Sequence, residues 1–257
     1  MPDSKRPDPY LGKAITAFEG GIVTRIIEHP HDSSRVFAYE VTFHLQHPRV
    51  IAVAALKPPL HFHPYQEEYI EVLEGRLAVE VEGVEHILSP RDREFTLQPW
   101  CNHRLYSPVT GIGDPPKGQD DGWDGKKTTF LLSGQDTDKM FRLDTVFFEN
   151  WYAYQDLVVV EGKKPDVVQI MSMFDAGGSY LSLPTWIPFS RTVARALGIV
   201  VGRWIGGALG YQPFNMKWTT DWDLACSKME MSVFQRRFAK REGVETNKAG
   251  VRYASYS

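Results

Sequence analysis

The sequence is poor in cysteine: Cys101 and Cys226 are the only two in 257 residues. That scarcity excludes the disulfide framework of a small secreted domain, and a chain of this length needs neither disulfides nor a metal to staple its core. A bound metal would therefore serve chemistry. There is no long basic run and the formal net charge is −3, which excludes an electrostatic grip on nucleic acid and leaves small molecules and protein partners. The opening residues "MPDSKRPDPYLGK" lack the apolar core of a secretory leader, so a soluble, cytoplasmic protein is expected. Uncharged apolar runs are short as well. "SRTVARALGIVVGRWIGGALGYQPF" is apolar overall, but Arg191, Arg195 and Arg203 interrupt it, and no uncharged stretch reaches the roughly 20 residues of a bilayer span. The expectation is a helix packed on the body of the protein and no stable membrane span, with weak attachment to a membrane surface as the lesser alternative.

What is present between Gly21 and Gly134 is a succession of short β-rich runs bounded by Gly, Pro, Asn, Asp or Ser. They are "GIVTRIIEH", "RVFAYEVTFHL", "RVIAVAAL", "YIEVLEG", "RLAVEVEG", "VEHIL", "EFTLQPW", "HRLYS" and "KTTFLLSG". Such a series favours a sandwich or small barrel over a parallel βαβ sheet. In "VEGVEH" Gly83 supplies a hairpin turn. Residues 107–127 are rich in Gly, Pro and Asp and read as a long loop, either a plain excursion or a lid over the barrel mouth with Trp123 as its large apolar contact. After Gly134 the pattern turns helical. "TDKMFRLDTVFFENWYAYQDLVVVEG" sets Phe141, Val146, Phe147, Trp151 and Tyr154 at helical spacing. "PDVVQIMSMFDAGG", the arginine-punctuated segment and "TTDWDLACSKMEMSVFQRRFAKRE" supply further helices. No repeat or linker divides the chain, so one domain is expected, with a barrel at about 15–135 and a packed helical extension at about 136–257.

The chemistry concentrates in "HFHPYQEEYIEVLEG", which runs from His61 to Gly75. Side chains alternate faces along a strand, so His61 and His63 project to one side and can reach one ion. Pro64 can bend the chain before Glu68, after which the strand resumes and turns at Gly75. Glu67 competes with Glu68 as a carboxylate ligand. His103 follows in "LQPWCNHRLYS". Three imidazoles and a carboxylate suit a divalent Fe, Mn, Co, Ni, Cu or Zn ion without choosing among them. The same four side chains also suit a metal-free acid/base site, or a set of histidines that only hydrogen-bond inside a polar barrel. Phe62, Tyr65, Trp100 and Leu105 are candidates for an apolar substrate wall. Cys101 shares strand parity with His103 and either faces the cavity or packs.

The spacing His61-x-His63-x4-Glu68-x6-Gly75 resembles the first motif of the cupin superfamily, and "LQPWCNHR" resembles a degenerate second motif. The resemblance implies a mainly β fold, a double-stranded β-helix or jelly roll, with an ion held by His61, His63, Glu68 and His103. It also implies a homodimer. Three family positions differ: Ala55 stands for a glycine before the first histidine, Trp100 or Cys101 for the glycine of the second turn, and Ser107 for a terminal asparagine. Glu68 is favoured over Glu67 because its distance to Gly75 fits the family pattern. The C-terminal phrases further resemble small cupins of fungal natural-product pathways, among them dehydratases and hetero-Diels–Alderases of tropolonic sesquiterpenoid biosynthesis. That resemblance implies dehydration of a hydroxymethyl tropolone to an ortho-quinone methide and cycloaddition with a humulene-type alkene. The alternatives are a metal-dependent oxygenase, decarboxylase or isomerase, and a non-catalytic small-molecule-binding cupin.

Overall fold

The computed structural model describes residues 10–108 and 123–241. Two antiparallel sheets form its first half. One has the order β1 (Ala14–Ala17), β2 (Ile22–Ile26), β3 (Phe37–His44), β10 (Lys127–Gly134), β5 (Glu68–Glu74), β8 (Phe95–Leu97). The other runs β11 (Tyr180–Leu181), β4 (His61–Phe62), β9 (His103–Tyr106), β6 (Leu77–Val81), β7 (Val84–Leu88). Inward residues such as Tyr39, Val41, Ile70, Leu77, Val79 and Phe130 fuse the two into one apolar core. Each such side chain stabilises the fold by roughly 1.5–3 kcal/mol on burial. The loop expected over residues 107–127 falls largely outside the described residues.

Two turns fix the registers that matter for the interior. At the β6–β7 hairpin, Glu82 (φ 50°) and Gly83 (φ 82°) both take left-handed backbone, the two-residue turn expected from "VEGVEH". Between β5 and β6, Gly75 (φ 79°) leaves room for no side chain, since a Cβ there would lie 2.6 Å from the Lys127 carbonyl oxygen. On the outer face, Glu80 of β6 faces Arg104 of β9 and accepts from its Nη2 at 2.7 Å and its Nε at 3.0 Å. Lys57 Nζ donates to the same carboxylate at 2.9 Å. This pair pins the register in which Val81 stands opposite His103.

The run "RVIAVAAL" is a correction to the sequence reading: its core is a helix, α1 (Pro48–Val53), and not a strand. Pro48 sits at the first helical position, and His47 Nδ1 accepts from the Arg49 N–H at 3.3 Å. None of α1 is buried and Ile51 stays exposed, so its β-branched residues never found the sheet their run suggested.

The helical half begins with α2 (Thr145–Val159), capped by Asp144, whose carboxylate accepts from the Phe147 N–H at 3.1 Å. Phe141, expected on this helix, precedes it. The next helix, α3 (Val167–Ala176), is capped by Asp166. Phe147, Phe148 and Phe174 from these helices belong to the same apolar core as the sheets. The helical half also contributes a strand, because β11 pairs with β4 directly beside His61. A rod then runs from α4 (Ser190–Leu197) through a π-helical stretch, Gly198–Gly206, into α5 (Gly207–Leu209). Its glycine face lies on α3: a Cβ on Gly202 would come within 2.5 Å of the Met171 backbone. Finally α6 (Trp222–Glu230) buries Lys228, which ion-pairs with Asp144 at 2.5 Å and donates to the Arg142 carbonyl at 3.0 Å. Burial lowers the Lys228 pKa, against the pull of Asp144.

Candidate metal centre

His61 and His103 are register partners across β4 and β9, and His63 follows two residues on, on the same face as His61. The three rings gather with centroids 4.6 Å (His61–His103), 5.0 Å (His63–His103) and 5.1 Å (His61–His63) apart. Each ring is oriented through its outer nitrogen. His61 Nδ1 donates to the Pro59 carbonyl at 3.0 Å and His103 Nδ1 to the Cys101 carbonyl at 2.9 Å. His63 Nδ1 is 3.0 Å from Ser179 Oγ, so a residue from the loop before β11 fixes the third ring. These bonds turn the Nε2 atoms inward, and the ligand nitrogens of the three rings lie within 4.8 Å of one another.

Glu68 approaches two of the rings from the facing sheet, with Oε2 3.1 Å from His103 Nε2 and 3.9 Å from His63 Nε2. His63 Nε2, His103 Nε2 and Glu68 Oε2 are all buried without a hydrogen-bond partner. Such orphaned atoms are rare in a folded interior, and a cation at this point would satisfy all three. Burial, followed by the nearby His103 charge, lowers the His61 pKa to about 3 and holds His63 well below the ordinary imidazole range. Both rings are therefore neutral near pH 7, the form that ligates a metal. Three imidazole nitrogens and one carboxylate fit a divalent first-row transition ion.

The side chains nominated as an apolar wall scatter. Phe62 points away from its histidine neighbours, because alternation puts it on the opposite face, where it is fully buried against Tyr180 and stacked on Trp100 at 5.5 Å. Tyr65 is partly exposed beneath the Arg195 guanidinium, 5.4 Å from its ring centre. Cys101 precedes β9 and acts through its backbone carbonyl on His103. Leu105 alone among them shares the inward face with His103 and packs against the main core. The bonding of Glu67 lies elsewhere: its carboxylate accepts from the Tyr69 hydroxyl. Trp100, standing where a family glycine is expected, does take left-handed backbone (φ 70°), and its N–H donates to the His63 carbonyl at 2.8 Å. The turn thus keeps the glycine-like geometry, with ring stacking on Phe62 offsetting the strain.

The wall beside the metal-competent group comes from the helices. Phe174 of α3 meets the His61 ring edge-on at 5.7 Å and Trp151 of α2 at 4.9 Å. Tyr152 is the other α2 aromatic on this side; burial raises its phenol pKa, with the Glu68 charge contributing. Neither Phe174 nor Ser179 stood out in the sequence. The one usable signal was the density of aromatic residues from Phe147 to Tyr154.

Comparison with known proteins agrees with this arrangement. A family model described as a cupin domain matches residues 49–110, which contain His61, His63, Glu68 and His103. A protein of Arthrobotrys oligospora named as an oxidoreductase is 44% identical over 230 residues, covering 89% of this chain and 85% of the relative. The probable oxidoreductase yanE of Aspergillus niger is 41% identical over 228 residues, 88% of this chain and 84% of the relative. The epoxidase atD of Aspergillus terreus is 39% identical over 181 residues, 70% of this chain and 52% of its own length.

Proposed function

Because the chain belongs to the cupin family, with fungal relatives named as oxidoreductases, we propose that it is a metal-dependent oxidoreductase of fungal secondary metabolism. Its substrate in this reading is a small, ring-bearing, largely apolar molecule. The observation that carries the reading is the convergence of the His61, His63 and His103 nitrogens, with Glu68 beside His103 and His63 and the inward atoms of His63, His103 and Glu68 buried without hydrogen-bond partners. These four residues would hold the ion, which supplies redox or Lewis-acid chemistry when bound. Phe174 and Trp151 orient the substrate by ring contact and keep water from the inward face. Pro59, Cys101 and Ser179 keep the imidazole Nε2 lone pairs aimed inward.

A second reading keeps the same pocket and changes the reaction. Dehydration of a hydroxymethyl tropolone, followed by hetero-Diels–Alder addition of a humulene-type alkene, is favoured by the aromatic wall, which suits two apolar partners held together away from water. Its difficulty is the proton for the departing hydroxyl, because the inward Nε2 atoms of neutral His61 and His63 carry none near pH 7. Dioxygen consumption separates the two. Product formation from a ring-bearing fungal precursor with matching dioxygen uptake, abolished by chelation, supports the oxidoreductase. Turnover of tropolone and alkene at an unchanged rate without dioxygen supports the cycloaddition. Binding without turnover of either would leave a non-catalytic binding protein.

A further inference from the structure

The rod Ser190–Leu209 has one face that nothing among the described residues covers. It is 20 residues long with a mean hydropathy of 1.2, yet only 28% of its apolar window is buried. Phe189, Val193, Leu197, Val200 and Trp204 follow one another at intervals of four, four, three and four, which puts them on one stripe, and all are exposed. The stripe lies away from the glycine face that rests on α3. It is extended at both ends. Before the helix, Trp186 is 81% exposed and Phe189 is 85% exposed. At the far end Leu209 is 70% exposed, and Phe234 adjoins Gly207, bringing Met231 and Val233 at 62% and 68% exposure into the same region. Phe189 is also held at φ 54° with no side-chain cap. A strained backbone that displays a large aromatic ring to solvent is maintained against two costs, and persists where the display has a use.

We infer that this face is a docking surface for an anionic lipid bilayer, with the rod lying in the plane of the headgroups. Charge complementarity selects that partner. Between Asp175 and Asp221 the sequence contains no carboxylate, and it contains Arg191, Arg195, Arg203 and Lys217, in a chain whose net charge is −3. Arg191 and Arg203 are engaged by Glu82 and Asp175, and Arg195 lies over the Tyr65 ring within the field of Asp175, whereas Lys217 is exposed. Arg236 and Arg237 add cations beside the C-terminal end of the rod, where Arg237 donates to the Gly207 carbonyl. Exposed Trp186 and Trp204 supply the interfacial aromatics that such surfaces use. A two-fold contact with a second copy would instead set this predominantly cationic face against itself. A transmembrane span is opposed by the rod's own attachments: Gly202 is seated on the Met171 backbone, and Arg203 grips buried Asp175 through two hydrogen bonds of 2.6 and 2.8 Å. The surface does not depend on the reaction proposed above, although an apolar substrate would be concentrated in the same bilayer.

Flotation of the full-length protein with vesicles tests the inference, comparing phosphatidylcholine alone with phosphatidylcholine mixed with phosphatidylserine. The wild type is expected to float with the serine-lipid vesicles and to be released by added salt. The double variant Trp186→Glu/Phe189→Glu alters two side chains that make little contact with the fold, so it should keep the wild-type thermal transition while its vesicle partitioning falls about tenfold or more. Wild-type protein that stays in solution with both kinds of vesicle overturns the inference. So does a dimer in vesicle-free solution that the double variant splits into monomers, since that would assign the face to a second copy.

Discussion

Glu68 Oε2 lies 3.1 Å from His103 Nε2, while His103 Nδ1 donates its proton to the Cys101 carbonyl. When the Nδ1 proton is the ring's only one, two lone-pair atoms face one another at hydrogen-bond distance in a buried site. A contact between two acceptors is unfavourable by itself and becomes favourable when a cation lies between them. His63 Nε2, also without a partner, adds a third lone pair to the same point.

If Ser179 orients His63 for ligation, Ser179→Ala should weaken metal affinity by about 10–100-fold without removing a ligand. Chelator competition on the folded variant measures this. Affinity equal to wild type would show that the His63 ring needs no support from the helical half.

The cross-strand pair Glu80–Arg104 carries a pH signature. The Arg104 hydrogen bond, aided by Lys57, lowers the Glu80 pKa from 4.5 to about 2. As pH falls, the unfolded chain takes up this proton before the folded chain does, so the pair's stabilisation is complete above pH 4.5 and is lost as pH falls through about 2. Urea unfolding across that window should show a steeper acid loss for the wild type than for Glu80→Gln. Parallel slopes would remove Glu80 from the account.

Lys228→Ala leaves Asp144 buried and uncompensated at the α2 cap, and should destabilise the fold by about 3–5 kcal/mol. The double variant Lys228→Met/Asp144→Asn removes both charges and should recover much of that loss. Additive losses in denaturant unfolding would show that the two groups act separately.

Gly202→Ala places a methyl group where the Met171 backbone already stands, at 2.5 Å. Separating the rod from α3 should cost about 1–3 kcal/mol. A thermal midpoint equal to wild type would contradict the close seating of the rod.

Much of the barrel was legible because strand periodicity and turn residues spoke together, as in "RLAVEVEG" and "VEGVEH", whose hairpin forms with Gly83 in its turn. The helix at Pro48–Val53 was not, since a short run of β-branched residues reads as strand unless the local proline and its histidine cap are given more weight. The position of Phe62 was legible in principle: parity with His61 and His63 already places it on the other face. Phe174, Ser179 and β11 were hidden for a different reason. They reach the histidines through tertiary packing across more than a hundred residues of sequence, and a two-residue strand carries no periodicity of its own. The exposed stripe of the rod was partly legible, since the arginines that break the apolar run at Arg191, Arg195 and Arg203 were visible, but which face α3 would cover was not.

The central claim is that the three imidazoles and Glu68 hold one divalent transition ion. Crystals of protein reconstituted with Fe(II), Mn(II) or Zn(II), measured at the absorption edge of the added metal, test it most directly. The account predicts a single anomalous peak about 2.0–2.3 Å from the Nε2 atoms of His61, His63 and His103, with Glu68 turned towards it. Well-ordered imidazoles without an anomalous peak for any of these ions would contradict it.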